Sequence, residues 1–474
     1  MRGFLASSIG VTTAAALAVP LAPPAAAATS APPPTTPRAA QAEAYAPGGT
    51  QSLPLTPLAR DRAPGAAAQG LPRRDVRHFS LVGVVWDNPG TELHGRVEVR
   101  TRATATGAWS DWQELETHNA DHAADPGTTE SASDRVRGAT APLWVGESDG
   151  VEVRVRADRA PEAATRAVPA ATASALPSGM RLELVDPGKG APPPAAPGPE
   201  DGTKDGTKDG TKDVPKDGPE GEPRTTSASD ASAQALAASA VNAGLAPLGA
   251  TEIPALSQAR TEAELGTGQQ TKPYVGARPS ITTRHGWGAD EGLREKGFVY
   301  TKKVKAAFVH HSATGNKYRC AQAPSVIRSI YRYHVHSTGW RDLGYNFLVD
   351  KCGNIYEGRA GGVSKAVLGA HTLGFNSNSM GIAVLGTYSA RKPSSAAVKA
   401  IARLTAWKLG IYGMNPDGKT YLKSGGGNLY RKGKNVRLNV ISGHRDGFAT
   451  NCPGRLLYGK LDTSRSKAAR YQGR

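Results

Sequence analysis

A charged repeat near the middle of the chain limits what this sequence can fold into. Asp-Gly-Thr-Lys occurs three times in succession from Asp201 to Lys212, within a stretch rich in Pro, Gly, Asp and Lys that extends to about Arg224. Alternating charges and frequent Gly leave little apolar surface to bury, so this segment is predicted to be a solvated linker. The 474 residues, with 55 Gly and 35 Pro, are therefore expected to form two folded domains separated and preceded by low-complexity segments.

The first 28 residues have the pattern of a secretory signal peptide. Arg2 is followed by an apolar region that reaches about Leu21, and then by the small residues Ala26-Ala27-Ala28. A retained membrane anchor is the alternative, but the apolar run is short and is interrupted by Gly, Thr and Pro. The mature protein is therefore expected to be secreted, without stable membrane insertion. Residues 29–74, rich in Ala, Pro and Thr, are expected to be a disordered spacer.

Residues 75–187 are predicted to form a small antiparallel β-sandwich. Apolar and polar side chains alternate in four segments, which are residues 78–86, 95–101, 150–156 and 180–185. Alternation with a period of two is typical of half-buried antiparallel strands. The role of this domain stays open. Trp109 and Trp112 suit either a stacking surface for a sugar ring or, more commonly, packing in the core or over the sheet edge.

Residues 188–275 are the predicted linker, and residues 276–474 form the predicted second domain. In the second domain, strand patterns such as residues 436–441 are interleaved with helix patterns such as residues 325–337. This arrangement predicts an α/β fold in which helices flank a mixed central sheet and the functional site lies at strand ends. Because the linker is expected to be flexible, the two domains are expected to behave independently.

Charge is distributed unevenly between the two domains. Residues 275–474 contain 33 Lys and Arg against 9 Asp and Glu, a net charge of +24, whereas the first 274 residues carry a net charge of −7. A strongly basic domain favours a polyanionic partner through long-range attraction. For a secreted protein this predicts anionic cell-wall polymers rather than nucleic acid. A basic surface that only maintains solubility remains the alternative.

An imidazole and a thiol stand eight residues apart in a turn-rich loop, as His444 and Cys452. Both are zinc-type ligands, and a catalytic zinc site uses three protein ligands and leaves the fourth position to water. A third donor is expected at the end of a short apolar strand pattern that stops at His310 and His311. Either of these histidines completes the set.

These motifs resemble the zinc-dependent N-acetylmuramoyl-L-alanine amidases related to peptidoglycan recognition proteins and phage amidase lysozymes, the type 2 amidases, in their secreted actinobacterial form. The resemblance covers roughly residues 276–462 and includes Trp-Gly-Ala at 287–289, Gly-Trp-Arg-Asp-Leu-Gly-Tyr-Asn-Phe at 339–347 and Gly-Ala-His-Thr at 369–372. It implies that His310 is the strand-end ligand and that Zn²⁺ is the cofactor.

The resemblance also implies roles for further residues. Tyr345 corresponds to the family's catalytic tyrosine, and Thr450 falls where relatives carry a Lys or Thr that supports the oxyanion. His371 matches a histidine that lines the substrate groove. Asn376 and Asn378 are candidates for amide hydrogen bonds to the muropeptide, although loop asparagines are also common turn formers.

Cys320 and Cys352 remain once Cys452 is assigned to the metal. In a secreted chain, three cysteines are then explained by one ligand and one disulfide, so we expect a Cys320–Cys352 bond. The alternative is that Cys452 is a spare thiol and the histidines are structural. That alternative requires a free thiol to persist in an oxidising compartment.

The resemblance implies a secreted, cell-wall-associated hydrolase that cleaves the amide bond between N-acetylmuramic acid and L-alanine by means of zinc-activated water. The alternative is a peptidoglycan-binding protein without hydrolysis, because some relatives lack the zinc cysteine. Another kind of zinc peptidase is disfavoured because the sequence contains no His-Glu-x-x-His motif. The stem-peptide preference and the physiological role stay open.

Overall fold

The structure is a computed structural model that describes residues 48–58, 68–117, 120–158, 175–189, 228–265 and 274–474. The predicted signal peptide, much of the predicted spacer and the Asp-Gly-Thr-Lys repeats lie outside these residues. All of the described residues belong to one compact unit. No helix within the described ranges is both long enough and apolar enough to cross a membrane.

The N-terminal domain is built from antiparallel strands. Those in the described ranges are β1 (Gly49–Pro54), β2 (Thr56–Pro57), β3 (Ala68–Trp86), β4 (Gly95–Ala103), β5 (Gln113–Leu115), β6 (Gly138–Ala139), β7 (Leu143–Ala157) and β8 (Arg181–Asp186). Their order is β1-β8-β3-β7-β4-β5, and β2 and β6 also pair with β3. Register shifts between the long strands β3 and β7 bend the sheet. Val97 of β4 and Leu182 of β8 consequently lie in one hydrophobic cluster, although β3 and β7 separate their strands. The predicted antiparallel β-sandwich is confirmed.

The sandwich begins earlier in the sequence than the expected boundary at residue 75. β1, β2 and the start of β3 lie within residues 29–74, which the sequence assigned to a spacer. β1 pairs with β8 along its whole length. Its polar side chains and terminal Pro give an edge strand little apolar signal, so hydrophobic alternation alone places the boundary too late.

Regular structure also lies within residues 188–275, the predicted linker. It consists of α1 (Ala228–Ala240), β9 (Glu252–Ile253) and α2 (Gln258–Leu265). Ile253 is buried in the main core of the second domain, and the Asn242 side chain, just after α1, donates a hydrogen bond of 2.9 Å to the Glu357 carboxylate. Short helices of this kind depend on tertiary packing, which the Ala- and Ser-rich composition does not reveal.

The second domain is a mixed sheet with flanking helices. Its further elements are β10 (Ile281–Thr282), α3 (Arg284–Trp287), β11 (Ala306–His311), α4 (Ala323–Arg332), β12 (Phe347–Val349), β13 (Ile355–Glu357), β14 (Ser379–Val384), α5 (Ser395–Ile411), β15 (Lys419–Lys423), β16 (Asn435–Asn439), β17 (Ile441–Gly443), α6 (Arg455–Tyr458) and α7 (Leu461–Tyr471). Short 3₁₀ helices lie at Ala120–His122, Cys320–Gln322 and His444–Asp446, and a π-helical turn at Tyr333–Ser337 continues α4.

The strand order of this sheet is β17-β11-β14-β12-β13-β10-β9. The central strands β17, β11, β14 and β12 are parallel to one another, whereas β13 is antiparallel to β12. β15 and β16 form a separate hairpin. The predicted α/β fold with a mixed central sheet is confirmed. Parallel strands bring their carboxyl ends to one edge, and the candidate site lies there.

The two domains share a hydrophobic cluster. Leu81 and Val85 of β3 pack in the same cluster as Tyr331 and Tyr333 at the end of α4, and all four side chains are almost completely buried. The Tyr333 hydroxyl donates a hydrogen bond of 3.0 Å to the carbonyl oxygen of Thr140 in the sandwich. The domains are therefore docked, although the composition of the linker predicts independence.

Candidate metal centre

β11 ends in two histidines that face opposite sides of the sheet, as neighbouring residues of a strand do. The Nδ1 atom of His310 lies 3.1 Å from the Nδ1 atom of His444, and both side chains are fully buried. His311 points the other way, where its Nδ1 atom accepts a hydrogen bond of 3.3 Å from the Tyr388 backbone. The strand thus brings His310, and not His311, to His444.

The loop after β17 carries His444 and Cys452. The Sγ atom of Cys452 lies 3.8 Å from His310 Nδ1, and the thiol is buried. The backbone N–H of Arg445 donates to the Cys452 carbonyl oxygen at 3.1 Å, which closes the loop. The Thr450 hydroxyl accepts a hydrogen bond of 3.2 Å from the Cys452 backbone. The structure therefore brings the three predicted donors together, and Thr450 stabilises the loop that carries the thiol.

A fourth donor comes from the β-sandwich. The Nε2 atom of His122 lies 3.7 Å from Cys452 Sγ, and the ligand atoms of His122, His310, His444 and Cys452 all lie within 4.8 Å of one another. Ordinary zinc–ligand bond lengths place two nitrogens of a tetrahedral site about 3.3 Å apart, and a nitrogen and a sulfur about 3.6 Å apart. The donor set therefore fits a zinc ion. Sequence reasoning missed His122, whose one local signal is the adjacent Asp121.

The second ring nitrogen of each histidine is held by a polar partner. His310 Nε2 lies 3.3 Å from the Thr372 hydroxyl, and His444 Nε2 lies 3.1 Å from the Asp121 carbonyl oxygen. His122 Nδ1 lies 2.9 Å from the Asp121 carboxylate. Outer contacts of this kind orient the ring of a metal-binding histidine, and the carbonyl and carboxylate acceptors beside His444 and His122 also select the tautomer. They leave the other nitrogen of each ring free to coordinate a metal.

Burial sets the protonation of these donors. It lowers the pKa of His310 well below the usual range and that of His444 to about 3, so both imidazoles are neutral at neutral pH and able to coordinate. Burial also raises the pKa of the Cys452 thiol well above its usual range. A metal cation favours the thiolate, so metal binding releases this proton.

Tyr345 borders the same centre. It lies just before β12 rather than within a strand, and it is buried. Its ring centroid is 5.5 Å from that of His310 and 5.9 Å from that of His122. Its side chain is therefore adjacent to the space that the donors surround.

The resemblance implied that His371 lines the substrate groove. In the structure, His371 instead packs against the ring of His310 and does not line an open groove. Its side chain is fully buried, and its ring meets the His310 ring edge-on at 5.3 Å. Its Nδ1 atom lies 3.0 Å from the Thr372 hydroxyl. A Cβ atom at Gly381 would lie 2.4 Å from the His371 ring, so the neighbouring strand β14 closes off this side chain.

The two candidate asparagines lie in different surroundings. The Asn376 amide is buried and donates to the Ala123 carbonyl oxygen at 3.0 Å and to the Asp125 carboxylate at 2.7 Å. Asn378 has a left-handed backbone conformation with φ of 59°, and its side chain accepts a hydrogen bond of 3.4 Å from the Lys303 backbone. Asn378 acts as a turn former, and the structure does not bring it to the donors.

Cys320 and Cys352 form a disulfide bond, which confirms the predicted pairing. The bond joins the start of the helical region that contains α4 to the turn after β12.

Trp109 and Trp112 of the sandwich are half-buried and are covered by guanidinium groups. Arg73 stacks on Trp109 at 4.9 Å and Arg154 on Trp112 at 4.0 Å. These contacts resemble cation–π packing more than an open sugar-stacking surface.

Two family models match the chain. A model described as N-acetylmuramoyl-L-alanine amidase matches residues 300–455. A model described as Rv3811 N-terminal galactose-binding domain-like matches residues 11–175.

Individual relatives match the second domain. Peptidoglycan-recognition protein SC1a of Drosophila melanogaster is 32% identical over 155 residues, which make up 33% of this chain and 70% of that protein. An N-acetylmuramoyl-L-alanine amidase of Homo sapiens is 31% identical over 205 residues, which make up 42% of this chain and 30% of that protein. Among solved structures, the chain is similar to the crystal structure of peptidoglycan recognition protein-LE in complex with tracheal cytotoxin. The matched region makes up 39% of this chain and 92% of that chain, with 30% identity and a TM-score of 0.30. By its similarity to peptidoglycan-recognition protein SC1a, together with the match to the amidase family model, the chain belongs to the family of type 2 N-acetylmuramoyl-L-alanine amidases and peptidoglycan recognition proteins.

Proposed function

We propose that this chain is a secreted, zinc-dependent amidase that hydrolyses the bond between the lactyl group of N-acetylmuramic acid and L-alanine in peptidoglycan. The observation that carries the proposal is the convergence of His310, His444 and Cys452 in the domain that the amidase family model matches. Hydrolysis by an activated water requires a set of metal-type donors such as this one, whereas recognition of peptidoglycan alone does not. We therefore favour hydrolysis over recognition alone.

Zinc would be held by His310, His444 and Cys452. When bound, it supplies Lewis-acid chemistry that activates water and polarises an amide carbonyl. The chain supplies the orientation of the ligands. The Thr372 hydroxyl, 3.3 Å from His310 Nε2, orients the ring so that Nδ1 faces the other donors.

Tyr345 is the candidate for stabilising the transition state. Attack on a planar amide places negative charge on the carbonyl oxygen, and a hydrogen-bond donor aimed at that oxygen accelerates the reaction. Burial raises the pKa of Tyr345 well above its usual range. The hydroxyl therefore keeps its proton at neutral pH and is available as a donor.

The surface charge supports a cell-wall location. Residues 275–474 carry a net charge of +24, which attracts anionic wall polymers over a distance set by the ionic strength. Secretion rests on the signal-like pattern of residues 1–28. Both statements belong to the same proposal, since peptidoglycan lies outside the cell membrane.

Mass analysis of digested peptidoglycan tests the function. Purified full-length protein loaded with zinc is incubated with purified peptidoglycan, and the soluble and insoluble products are sequenced by mass. We expect new N-terminal L-alanine on released stem peptides and intact glycan chains. Cleaved glycan or cleaved peptide cross-links would assign a different hydrolase. Retention of the protein on peptidoglycan without new L-alanine would favour the recognition alternative.

A further inference from the structure

Residues 121–137, here called the crossing segment, connect β5 to β6 of the sandwich but lie on the second domain. At one end, the Asp121 carbonyl oxygen accepts hydrogen bonds from the Leu373 backbone at 2.9 Å and from His444 Nε2 at 3.1 Å. At the other end, the Arg137 backbone donates to the Thr338 carbonyl oxygen at 3.1 Å. The crossing segment therefore passes beside the candidate metal centre and is hydrogen-bonded to the second domain at both of its ends.

The middle of the crossing segment is held through its carboxylates. Asp125 accepts hydrogen bonds from the Gly374 backbone at 2.8 Å and from the Asn376 amide at 2.7 Å. Glu130 forms a two-pronged ion pair with Arg359, with both N–O distances at 2.8 Å. Glu130 is 9% exposed and Arg359 5% exposed. Backbone amides and a guanidinium are groups that recognise carboxylates, and here the chain's own acidic side chains occupy them.

The cavity that remains between the crossing segment and the second domain is small. It has a volume of about 290 Å³ and is lined on one side by Asp125, Thr128 and Glu130 and on the other by Arg341 and Arg359. Pockets for single small molecules span roughly 300–1,000 Å³. A glycan strand with its stem peptide needs a longer and more open groove than this cavity provides.

We propose that His122 is a fourth protein ligand of the metal and that the crossing segment thereby holds the enzyme in a closed, latent state. The inference rests on the proposed function and specifies how that site is regulated. Three protein ligands leave one tetrahedral position for water, whereas four protein ligands fill the coordination sphere. His122 Nε2 faces the thiol at 3.7 Å, and its Nδ1 is held by Asp121. The position that hydrolysis requires is therefore filled by a side chain of the other domain.

Opening requires the crossing segment to leave the second domain. This movement would break the contacts of Asp125 with Gly374 and Asn376 and the ion pair of Glu130 with Arg359. The polar groups set free in this way are ones that an anionic peptide ligand can use. Peptidoglycan and the crossing segment therefore compete, and a ligand that binds the open form shifts the population toward it. Any change that weakens the crossing segment's contacts should favour the open form without touching His310, His444 or Cys452.

The first test examines coordination without using activity. The full chain is loaded with Co²⁺ in place of zinc, and its visible spectrum is recorded while azide is added as a small external ligand. Wild type should show a four-coordinate spectrum that azide leaves unchanged, because no position is open. His122→Ala should show a different spectrum that azide shifts. His122→Ala should also bind zinc at least about tenfold more weakly, the lower end of the loss that follows removal of even an outer-shell partner. His94→Ala, at an exposed histidine of the same domain, is the matched control and should behave as wild type.

The second test measures peptidoglycan hydrolysis at saturating zinc. If wild type is mostly closed, the open fraction limits its rate, so His122→Ala should hydrolyse peptidoglycan about tenfold faster or more. Glu130→Gln, which breaks the pair with Arg359 but leaves all four donors in place, should also accelerate hydrolysis, by a smaller factor. Thermal unfolding of each variant establishes that it is folded. If His122→Ala does not fold, the rate of hydrolysis by Glu130→Gln alone tests whether the crossing segment limits activity.

Two results would overturn the proposal. One is a wild-type cobalt spectrum that responds to azide as the His122→Ala spectrum does. The other is an active wild type that is as fast as, or faster than, both folded variants. Failure of the proposed function is distinguishable from this. If no form cleaves peptidoglycan but only His122→Ala responds to azide, the amidase assignment fails and the ligation by His122 stands.

Discussion

The Nε2 atom of His122 lies 3.7 Å from the Sγ atom of Cys452, although 330 residues separate them along the chain. The first belongs to the β-sandwich and the second to the amidase domain. The sandwich therefore forms part of the surroundings of the candidate metal centre. The Asp121 carbonyl oxygen, 3.1 Å from His444 Nε2, is a second contact between the two domains at this point, and the Asp121 carboxylate orients the His122 ring.

Replacing Tyr345 by Phe should separate metal binding from catalysis. The ring that packs near His310 remains, so the variant should keep its zinc. The hydroxyl proposed to stabilise the oxyanion is lost, and removal of one such donor typically lowers kcat about 10²- to 10³-fold. Metal analysis together with steady-state hydrolysis checks both parts. Unchanged kcat in a zinc-loaded Tyr345→Phe protein would remove Tyr345 from the mechanism.

Removing the Cys320–Cys352 disulfide should destabilise the second domain without affecting the metal. The bond spans 32 residues of sequence, and loop-closure entropy then predicts a loss of about 3–4 kcal/mol in the free energy of unfolding. Urea unfolding of the Cys320→Ser, Cys352→Ser double variant measures this loss. Zinc content serves as the control and should stay at the wild-type level. A double variant as stable as wild type would show that the bond contributes nothing to the fold.

Truncating Leu81 in the sandwich should loosen α4 in the second domain. Leu81 is fully buried in the cluster that the domains share, and large-to-small core substitutions cost about 2–5 kcal/mol. We expect faster hydrogen exchange of the α4 amides in Leu81→Ala. Val99→Ala is the matched control, because Val99 is buried within the sandwich's own cluster. Equal α4 exchange in wild type and Leu81→Ala would show that the docking seen here does not support α4.

Glu357 should make stability fall as the pH rises toward neutrality. Burial raises the pKa of this carboxyl to about 7, from an ordinary value of 4.5. Between these values the folded state keeps a proton that the unfolded state releases, so the free energy of unfolding decreases with pH and levels off above about 7. The total change from this group is roughly 3 kcal/mol.

Glu357→Gln mimics the protonated carboxyl and should lose most of this slope. Urea unfolding at several pH values between 4.5 and 7.5 tests it, with Glu114→Gln, at an exposed strand position of the sandwich, as the control. Parallel pH profiles for wild type and Glu357→Gln would contradict the raised pKa.

Local sequence patterns account for much of the second domain and of its site. His310 ends a short apolar strand, and His444 and Cys452 share one loop, so each donor sits in a recognisable context. His122 has no such context. It ends a short 3₁₀ helix in another domain, and its proximity to the thiol results from docking, which neither periodicity nor spacing encodes.

The sequence of β3 does indicate the strand face that packs against the second domain. Residues 79–86 of β3 are all buried, and successive side chains point to opposite faces. Val82 and Val84 lie in the sandwich's own cluster, whereas Leu81 and Val85 lie in the shared one. A nearly continuous apolar run indicates a strand covered on both faces. The interpretation of this run as a half-buried strand overlooked the second face.

The boundaries of the folded regions were harder to predict. β1 and α1 are held by pairing and packing with distant residues and carry little apolar signal of their own. Composition assigned both to low-complexity segments. Hydrophobic patterning detects elements that bury a face of their own, and it misses elements that mainly complete a neighbour's hydrogen bonds.

The thiolate-to-metal absorption of the cobalt-loaded full chain tests the central claim most directly. A soft thiolate bound to Co²⁺ gives an intense near-ultraviolet charge-transfer band that nitrogen and oxygen ligands do not give. We predict this band in wild type and in His122→Ala, and its loss in Cys452→Ser, whichever imidazoles still hold the ion. A wild-type protein that binds cobalt without the band, or a Cys452→Ser protein that retains it, would show that Cys452 is not a metal ligand.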